Sequence, residues 1–125
     1  MNGAVLDTGA LIAFERGERE MVAMVARALE LDLRFWVPAG VVGQAWRNGR
    51  KQARLAQLLN SALVEVVPLF DAQARAAGQL CGTTRTRDVI DASVVLLARE
   101  HGVCAITSDI EDLARLAPDV ELIRV

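Results

Sequence analysis

The chain has 125 residues, 53% of them hydrophobic, and a formal net charge of −2 at pH 7. This is enough for one buried core, so we expect a single domain over residues 1–125 and not a disordered chain. No apolar run approaches the roughly 18 residues of a membrane span, and the N-terminus lacks the pattern of a secretory signal. Two cysteines, Cys81 and Cys104, are too few for a disulfide framework. We therefore expect a reduced, cytoplasmic protein with no membrane partner.

The hydrophobic pattern predicts strands that alternate with helices along the chain. The predicted strands are Ala4–Leu6, Arg34–Val37, Leu63–Pro68, Val103–Thr107 and Val120–Val125. One predicted helix starts at Thr8, and the others are Glu18–Leu31, Ala39–Arg47, Arg50–Ala62, Asp71–Leu80, Asp88–His101 and Ile110–Leu116. The segment Gly82–Arg87 is predicted to be a polar loop. Such alternation implies an α/β fold in which helices cover both faces of a mostly parallel sheet.

Three aspartates that are distant in sequence are expected at one edge of this sheet. Asp7 directly follows the first strand, Asp109 follows the strand Val103–Thr107, and Asp91 lies in the first turn of a long helix. Ligands of such sheets gather beyond the carboxyl ends of the strands. Carboxylates held close together repel unless a cation neutralises them, and a site of oxygen atoms alone suits Mg²⁺ or Mn²⁺.

Each acidic residue also has a purely structural interpretation. Asp88 precedes an apolar helix and is expected to be its N-cap, and Asp91 three residues later could complement the helix dipole. Asp109 could cap the helix that begins at Ile110. Asp7 is the hardest to explain in this way, because a buried strand seldom ends in an acid without a partner.

Three short motifs resemble one known family. The segment Val5–Ala13, with the sequence VLDTGALIA, resembles the opening of PIN domains, particularly the VapC-type toxin ribonucleases. The segment DVIDASVV at Asp88–Val95, followed by AITSD at Ala105–Asp109, is similar to their C-terminal signature. The resemblance implies a three-layer α/β/α sandwich and Mg²⁺-dependent cleavage of RNA. It also implies a homodimer that a cognate antitoxin neutralises.

The resemblance also implies roles for individual residues. The family's acidic positions fall on Asp7, Asp91 and Asp109, which would hold the metal and activate or position a water. A supplementary acid would be Asp112, or less favourably Glu111. Thr8 and Ser108 are candidate donors that hold these carboxylates in place, although local turn hydrogen bonds would explain them equally well.

One position departs from the family's pattern. PIN domains usually carry a glutamate in the helix after the second strand, where this chain has Gln44. A glutamine can offer a neutral oxygen to a metal, but it neither neutralises charge nor accepts a proton as a carboxylate does. The alternatives are therefore a catalytically impaired PIN domain that acts by binding RNA or antitoxin, and a metal-free α/β binding module.

The basic residues concentrate in the middle of the chain. From Leu33 to Arg87 the balance is +6, against −8 for the rest. The candidate RNA-binding residues are Arg47, Arg50, Lys51, Arg54, Arg85 and Arg87. The first four lie close to one helix face if the helix is continuous, or on an elbow if Asn48-Gly49 breaks it. They would contact a polyanion, unless they form a solvated face or pair with an acidic antitoxin.

Overall fold

The computed structural model describes residues 2–125, which form one sheet with helices on both sides. The strands are β1 Gly3–Leu6, β2 Arg34–Pro38, β3 Val64–Val67, β4 Cys104–Thr107 and β5 Leu122–Arg124. The helices are α1 Thr8–Glu15, α2 Arg19–Leu31, α3 Ala39–Ala45, α4 Ala53–Leu59, α5 Asp71–Thr84, α6 Val89–His101 and α7 Ile110–Leu116. Across residues 2–125, no helix combines the length and the apolar character that crossing a membrane requires.

The strands are all parallel and lie in the order β3-β2-β1-β4-β5. Helices α1 to α4 pack with one another on one face, and α5 to α7 pack with one another on the other. This division follows from right-handed crossovers, because the chain moves outward through β2 and β3 and then returns beyond β1 to β4 and β5. The predicted α/β/α sandwich is confirmed.

The central strands β1 and β4 are buried along their whole length, as expected for parallel strands covered on both faces. Leu6 pairs with Ile106, and the backbone N–H of Asp7 donates to the Ile106 carbonyl at 3.1 Å. The chain therefore leaves both strands at the same level of the sheet. This register brings the segment after β1 beside the segment after β4.

Two predicted helices differ most from the structure in where they begin or end. Helix α5 continues through the first half of the predicted loop Gly82–Arg87 and ends at Thr84. The hydroxyls of Thr83 and Thr84 bond back to carbonyls one turn earlier, which satisfies these polar groups within the helix. The predicted helix Arg50–Ala62 is shorter, since α4 covers only Ala53–Leu59.

An elbow at residues 46–52 separates α3 from α4, so the predicted basic segment is not a continuous helix. Its centre is the buried side chain of Gln52, whose Oε1 accepts from the backbone N–H groups of Arg47 at 2.7 Å and Asn48 at 2.8 Å. The Nε2 of Gln52 donates to the carbonyl of Ala45 at 3.0 Å. One side chain thus replaces the backbone hydrogen bonds that the broken helix lacks.

We expect Gln52→Ala to lower the free energy of unfolding by about 2–3 kcal/mol, because it leaves two N–H groups and one carbonyl without partners. Urea denaturation measures this change. Gln57→Ala is the matched control, since Gln57 is an exposed glutamine of α4. Equal effects of the two substitutions would contradict the role of Gln52 in holding the elbow.

Candidate metal centre

Three carboxylates meet where α6 packs against α7. Asp91, Asp109 and Asp112 each offer one oxygen atom, and these atoms all lie within 4.8 Å of one another. Asp91 comes from the first turn of α6, whereas Asp109 and Asp112 lie one helical turn apart at the start of α7. The other candidate for the supplementary acid, Glu111, instead approaches Arg124 at 3.5 Å.

Asp7 lies beside this group but is not part of it. Its side chain caps α1, where Oδ1 accepts from the Ala10 backbone N–H at 2.9 Å, and Oδ2 accepts from the hydroxyl of Thr107. The residue is only 5% exposed. Its charge nevertheless contributes to raising the pKa of Asp91, so the two carboxylates are close enough to interact.

Thr107 connects Asp7 to Asp109. While its hydroxyl donates to Asp7, the same oxygen accepts from the backbone N–H of Asp109 at 2.8 Å. Thr107 is fully buried at the end of β4. Sequence reasoning missed this residue, and the available signal was a hydroxyl at the carboxyl end of a strand, two positions before a candidate ligand.

The predicted donor Ser108 occupies a different place. It lies over the first turn of α1, where a Cβ atom on Gly9 would come within 1.9 Å of the Ser108 Oγ. Glycine at position 9 therefore allows the β4–α7 connection to approach α1 closely. The Ser108 hydroxyl packs against Gly9, and the hydroxyl that donates to Asp7 is that of the neighbouring Thr107.

The pKa values of Asp91 and Asp7 are raised in this site. Burial and, to a smaller extent, nearby negative charges raise the pKa of Asp91 from its ordinary value of 3.8 to about 7. These charges come, in decreasing order, from Asp88, Asp109, Asp7 and Asp112. Burial also raises the pKa of Asp7, against the lowering effect of its hydrogen bonds from Thr107 and Ala10. The site concentrates negative charge that a cation would stabilise.

The donor set of the three grouped aspartates fits a hard divalent cation. It consists of carboxylate oxygens from two helices, without the sulfur or imidazole ligands that favour softer metals. Asp88, as predicted, serves α6 as its N-cap, and its Oδ1 accepts from the backbone N–H groups of Ile90 at 3.0 Å and Asp91 at 2.9 Å. This cap fixes the turn that carries Asp91.

Gln44 lies on α3, beside the first turn of α1. The hydroxyl of Thr8 donates to Gln44 Oε1 at 2.5 Å. Thr8 therefore holds the one candidate ligand that is not an acid, and it does so one residue away from Asp7. The exposed Gln44 side chain leaves room for a charged residue of the same shape.

The six candidate RNA-binding residues lie in two regions, four of them at the elbow or at the start of α4 and two beside the acidic group. At the elbow, the Arg47 Nη1 donates to the carbonyls of Gly43 at 2.9 Å and Trp46 at 2.7 Å. The Arg54 guanidinium packs against Gly17, so closely that a Cβ atom at position 17 would lie 2.3 Å from its Nη1. Arg50 and Lys51 are exposed in the turn between α3 and α4.

The remaining two candidates, Arg85 and Arg87, lie beside the acidic group. A cleft of about 280 Å³ is lined by both arginines and by two of the grouped carboxylates, those of Asp91 and Asp112. It is also lined by Arg115 of α7, which sequence reasoning did not single out. The sequence does indicate Arg115 by its position three residues after Asp112, because this spacing places both residues on one face of a helix.

Comparisons with known proteins agree with this architecture. The family model of the PIN domain matches residues 4–118. The structure is similar to VapBC2 from Rickettsia felis bound to a promoter DNA fragment, with 13% identity, 97% of each chain covered and a TM-score of 0.71. It is similar to FitAcB from Neisseria gonorrhoeae, with 20% identity, 96% of each chain covered and a TM-score of 0.63.

A third similar structure is VapC20 from Mycobacterium tuberculosis, described as a toxin that cleaves the sarcin-ricin loop. Its identity is 17%, its TM-score is 0.64, and the alignment covers 88% of this chain and 94% of that one. The comparison with curated protein sequences gives no match. The structural likenesses show a shared fold, and the family model spans nearly all of the described strands and helices. The chain belongs to the PIN domain family.

Proposed function

We propose that this protein is a metal-dependent endoribonuclease of the VapC type, the toxin of a toxin–antitoxin pair. The observation that carries the proposal is the group formed by Asp91, Asp109 and Asp112 beside the buried Asp7. The PIN family supports nuclease chemistry, and the structural neighbours are toxins of VapBC and FitAB pairs. The proposed place of action is the cytoplasm.

In this mechanism Asp91, Asp109 and Asp112 would hold Mg²⁺, for which Mn²⁺ could substitute. The bound cation would supply Lewis-acid chemistry, namely neutralisation of phosphate charge and acidification of a water molecule. Asp109 would orient this water, and the hydrogen bond from its backbone N–H to Thr107 supports that role by fixing the residue. Asp7 adds negative charge next to the ligands, and its orientation is fixed from both sides by Ala10 and Thr107.

The arginines would hold RNA next to these carboxylates. Arg50 and Lys51 project from the elbow, whose shape Gln52 fixes, and Arg85 and Arg87 border the acidic cleft. Guanidinium groups form paired hydrogen bonds with phosphate oxygens. They would bring a polyanion to a site that otherwise repels it. Arg47 and Arg54 would contribute charge from positions set by the elbow.

Exposed apolar side chains support contacts with other protein chains. Several large hydrophobic residues of the described surface are exposed, with Leu29 of α2 at 63% and Phe70 before α5 at 66%. The others are Val22, Leu31, Trp46, Val66, Leu69 and Val89. Large exposed hydrophobic side chains are frequent at protein interfaces. We propose that it serves a homodimer and a cognate antitoxin.

A second function, binding of RNA or antitoxin without cleavage, is favoured by Gln44. The amide lies next to Thr8 at the start of α1, where a glutamate would add a negative charge near Asp7. Without that charge a cation is held less strongly. The two functions predict different effects of Gln44→Glu on RNA cleavage.

We expect the wild-type protein to cleave single-stranded RNA with Mg²⁺, and Gln44→Glu to lower the Mg²⁺ concentration for half-maximal rate by roughly 3–10-fold, since it adds one charge near the site. The measurement is the cleavage rate of a labelled RNA against Mg²⁺ concentration. Gln57→Glu adds the same charge on the exposed surface of α4 and controls for net charge. Asp109→Asn controls for contaminating nuclease.

The outcomes separate the two functions. Cleavage by the wild type supports the endoribonuclease. Cleavage by Gln44→Glu alone would show a binding protein whose site lost its activity at this position. If neither protein cleaves any RNA, the nuclease proposal is wrong.

A further inference from the structure

The cleft beside the acidic group carries both signs of charge. Its wall contains the carboxylates of Asp88, Asp91 and Asp112 and the guanidinium-bearing residues Arg85, Arg87 and Arg115. Asp88 uses its Oδ1 to cap α6, while Asp91 and Asp112 belong to the candidate metal group. In the proposed function, the carboxylates of the cleft therefore serve the helix cap and the cation rather than the arginines.

The three arginines form no ion pair within the described part of the chain. Ion pairs with N–O distances of 4.0 Å or less occur at five other arginines, including Arg99, which contacts Asp119 at 2.8 Å. Arg85, Arg87 and Arg115 are absent from these pairs although they share a cleft with three acids. All three are exposed. Their donors are free to bind an anion that enters the cleft.

The segment that presents two of them is held in a defined conformation. Arg85 follows α5 in the left-handed region, with a φ of 58°, and thereby ends the helix. The Thr86 backbone N–H donates to the Cys81 carbonyl at 2.9 Å, and the hydroxyls of Thr84 and Thr86 lie 3.1 Å apart. Two residues later Asp88 caps α6. The arginines thus project from a short connection that is tied at both ends, which reduces the entropy lost when they bind.

We propose that Arg115, together with Arg85 and Arg87, binds a phosphate group of the RNA strand next to the phosphate that is cleaved. The inference rests on the proposed function and adds a substrate-binding residue, Arg115, to it. The cation would neutralise one phosphate at the carboxylates, and the arginines would bind its neighbour in the same cleft. Arg115 lies one turn beyond Asp112, so α7 carries both a candidate metal ligand and a phosphate ligand.

The size and charge of the cleft favour RNA over an acidic protein. A volume of about 280 Å³ is near the lower end of the range for small ligands, roughly 300–1,000 Å³. It admits a phosphate and its sugar more readily than a protein helix of about 10 Å diameter. A phosphodiester offers two unesterified oxygens, so one phosphate can accept hydrogen bonds from the arginines while its neighbour meets the cation, which balances the mixed charge of the cleft.

The test compares Arg115→Ala with Arg27→Ala. Arg27 is an exposed arginine of α2 that pairs only with Glu30, so both variants lose the same charge. Binding of a fluorescent single-stranded RNA is followed by anisotropy in EDTA, where no cleavage occurs, at several NaCl concentrations. We expect Arg115→Ala to raise Kd by about 5–10-fold and to reduce the slope of log affinity against log salt by about 0.7, the value for one phosphate contact. Arg115→Lys should retain most of the slope.

Equal Kd values and slopes for Arg115→Ala and Arg27→Ala would overturn the proposal. It would also be overturned if Arg115→Ala weakened binding of a polyglutamate peptide but left RNA binding unchanged, since this would assign the arginines to an acidic partner protein. RNA binding that depends on Arg115, in a wild-type protein that cleaves no RNA with Mg²⁺, would refute the nuclease and retain the phosphate site. If the wild type binds no RNA in EDTA and cleaves none with Mg²⁺, both proposals are wrong.

Discussion

Without divalent cations, Asp91→Asn is expected to stabilise the protein at neutral pH. Burial and neighbouring acids raise the pKa of Asp91 to about 7, and the substitution removes a charge that folding disfavours. After allowance for solvent screening of this half-buried group, we expect a gain of about 1–2 kcal/mol in the free energy of unfolding at pH 8. Urea denaturation of both proteins in EDTA measures it.

The upward direction of the pKa shift of Asp91 determines how stability depends on pH. In the unfolded chain Asp91 loses its proton near its ordinary pKa of 3.8, whereas in the folded protein it keeps the proton up to about pH 7. The folded state binds more protons between these values, so its stability falls as pH rises from about 4 to 7. Asp91→Asn should remove this part of the decline. The two proteins should therefore differ little at pH 4 and most at pH 8.

The same substitution should abolish stabilisation by Mg²⁺ or Mn²⁺. A cation at a hundred times its dissociation constant stabilises a folded protein by about 2.7 kcal/mol, which raises the Tm of a domain of this size by roughly 10 °C. We expect a saturable rise for the wild type and none for Asp91→Asn. Asp32→Asn, an exposed aspartate after α2, is the matched control and should respond like the wild type. A rise that persists in Asp91→Asn would contradict the metal centre, and no rise in the wild type would favour the binding function.

The proximity of Asp7 and Asp109 could be anticipated because the fold dictates their position. Asp7 and Asp109 follow adjacent parallel strands, and any register that pairs Leu6 with Ile106 brings the segments after them together. The cap formed by Asp88 could be predicted for a similar reason, since it depends only on local sequence. Such features require no knowledge of side-chain packing.

The relations among these residues could not be predicted, because they depend on tertiary hydrogen bonds. The sequence marks Thr107 only as a hydroxyl at the end of a buried strand, and it does not show that this hydroxyl would reach both Asp7 and the segment of Asp109. Gln52 reads as an ordinary polar residue of a helix, yet it is buried at the elbow. Asp112 lies in the close group with Asp91 and Asp109, and the oxygens of Asp7 accept hydrogen bonds in the α1 cap and from Thr107.

Thr107→Val is expected to have the largest destabilising effect. Valine has nearly the shape of threonine but no hydroxyl, so the buried Asp7 Oδ2 loses its donor and the Asp109 N–H loses its acceptor. A buried group left without a partner costs about 1–3 kcal/mol, and more when it is charged, so we expect a loss of about 3–4 kcal/mol at pH 8. Thr107→Ser should retain most of the stability. Thr83→Val, at an exposed threonine of α5, is the control for the loss of a hydroxyl elsewhere.

The effect of Thr107→Val should also depend on pH and metal. The hydrogen bond from Thr107 lowers the pKa of Asp7 against the effect of burial, so its removal raises this pKa further. A protonated Asp7 tolerates the missing donor better than a charged one, and the loss of stability should therefore be smaller at pH 4 than at pH 8. Because Asp109 is held through the same hydroxyl, the Mg²⁺ concentration for half-maximal stabilisation should rise. Equal losses at both pH values, with unchanged Mg²⁺ dependence, would show that Thr107 supports only the packing of β4 and does not position the carboxylates.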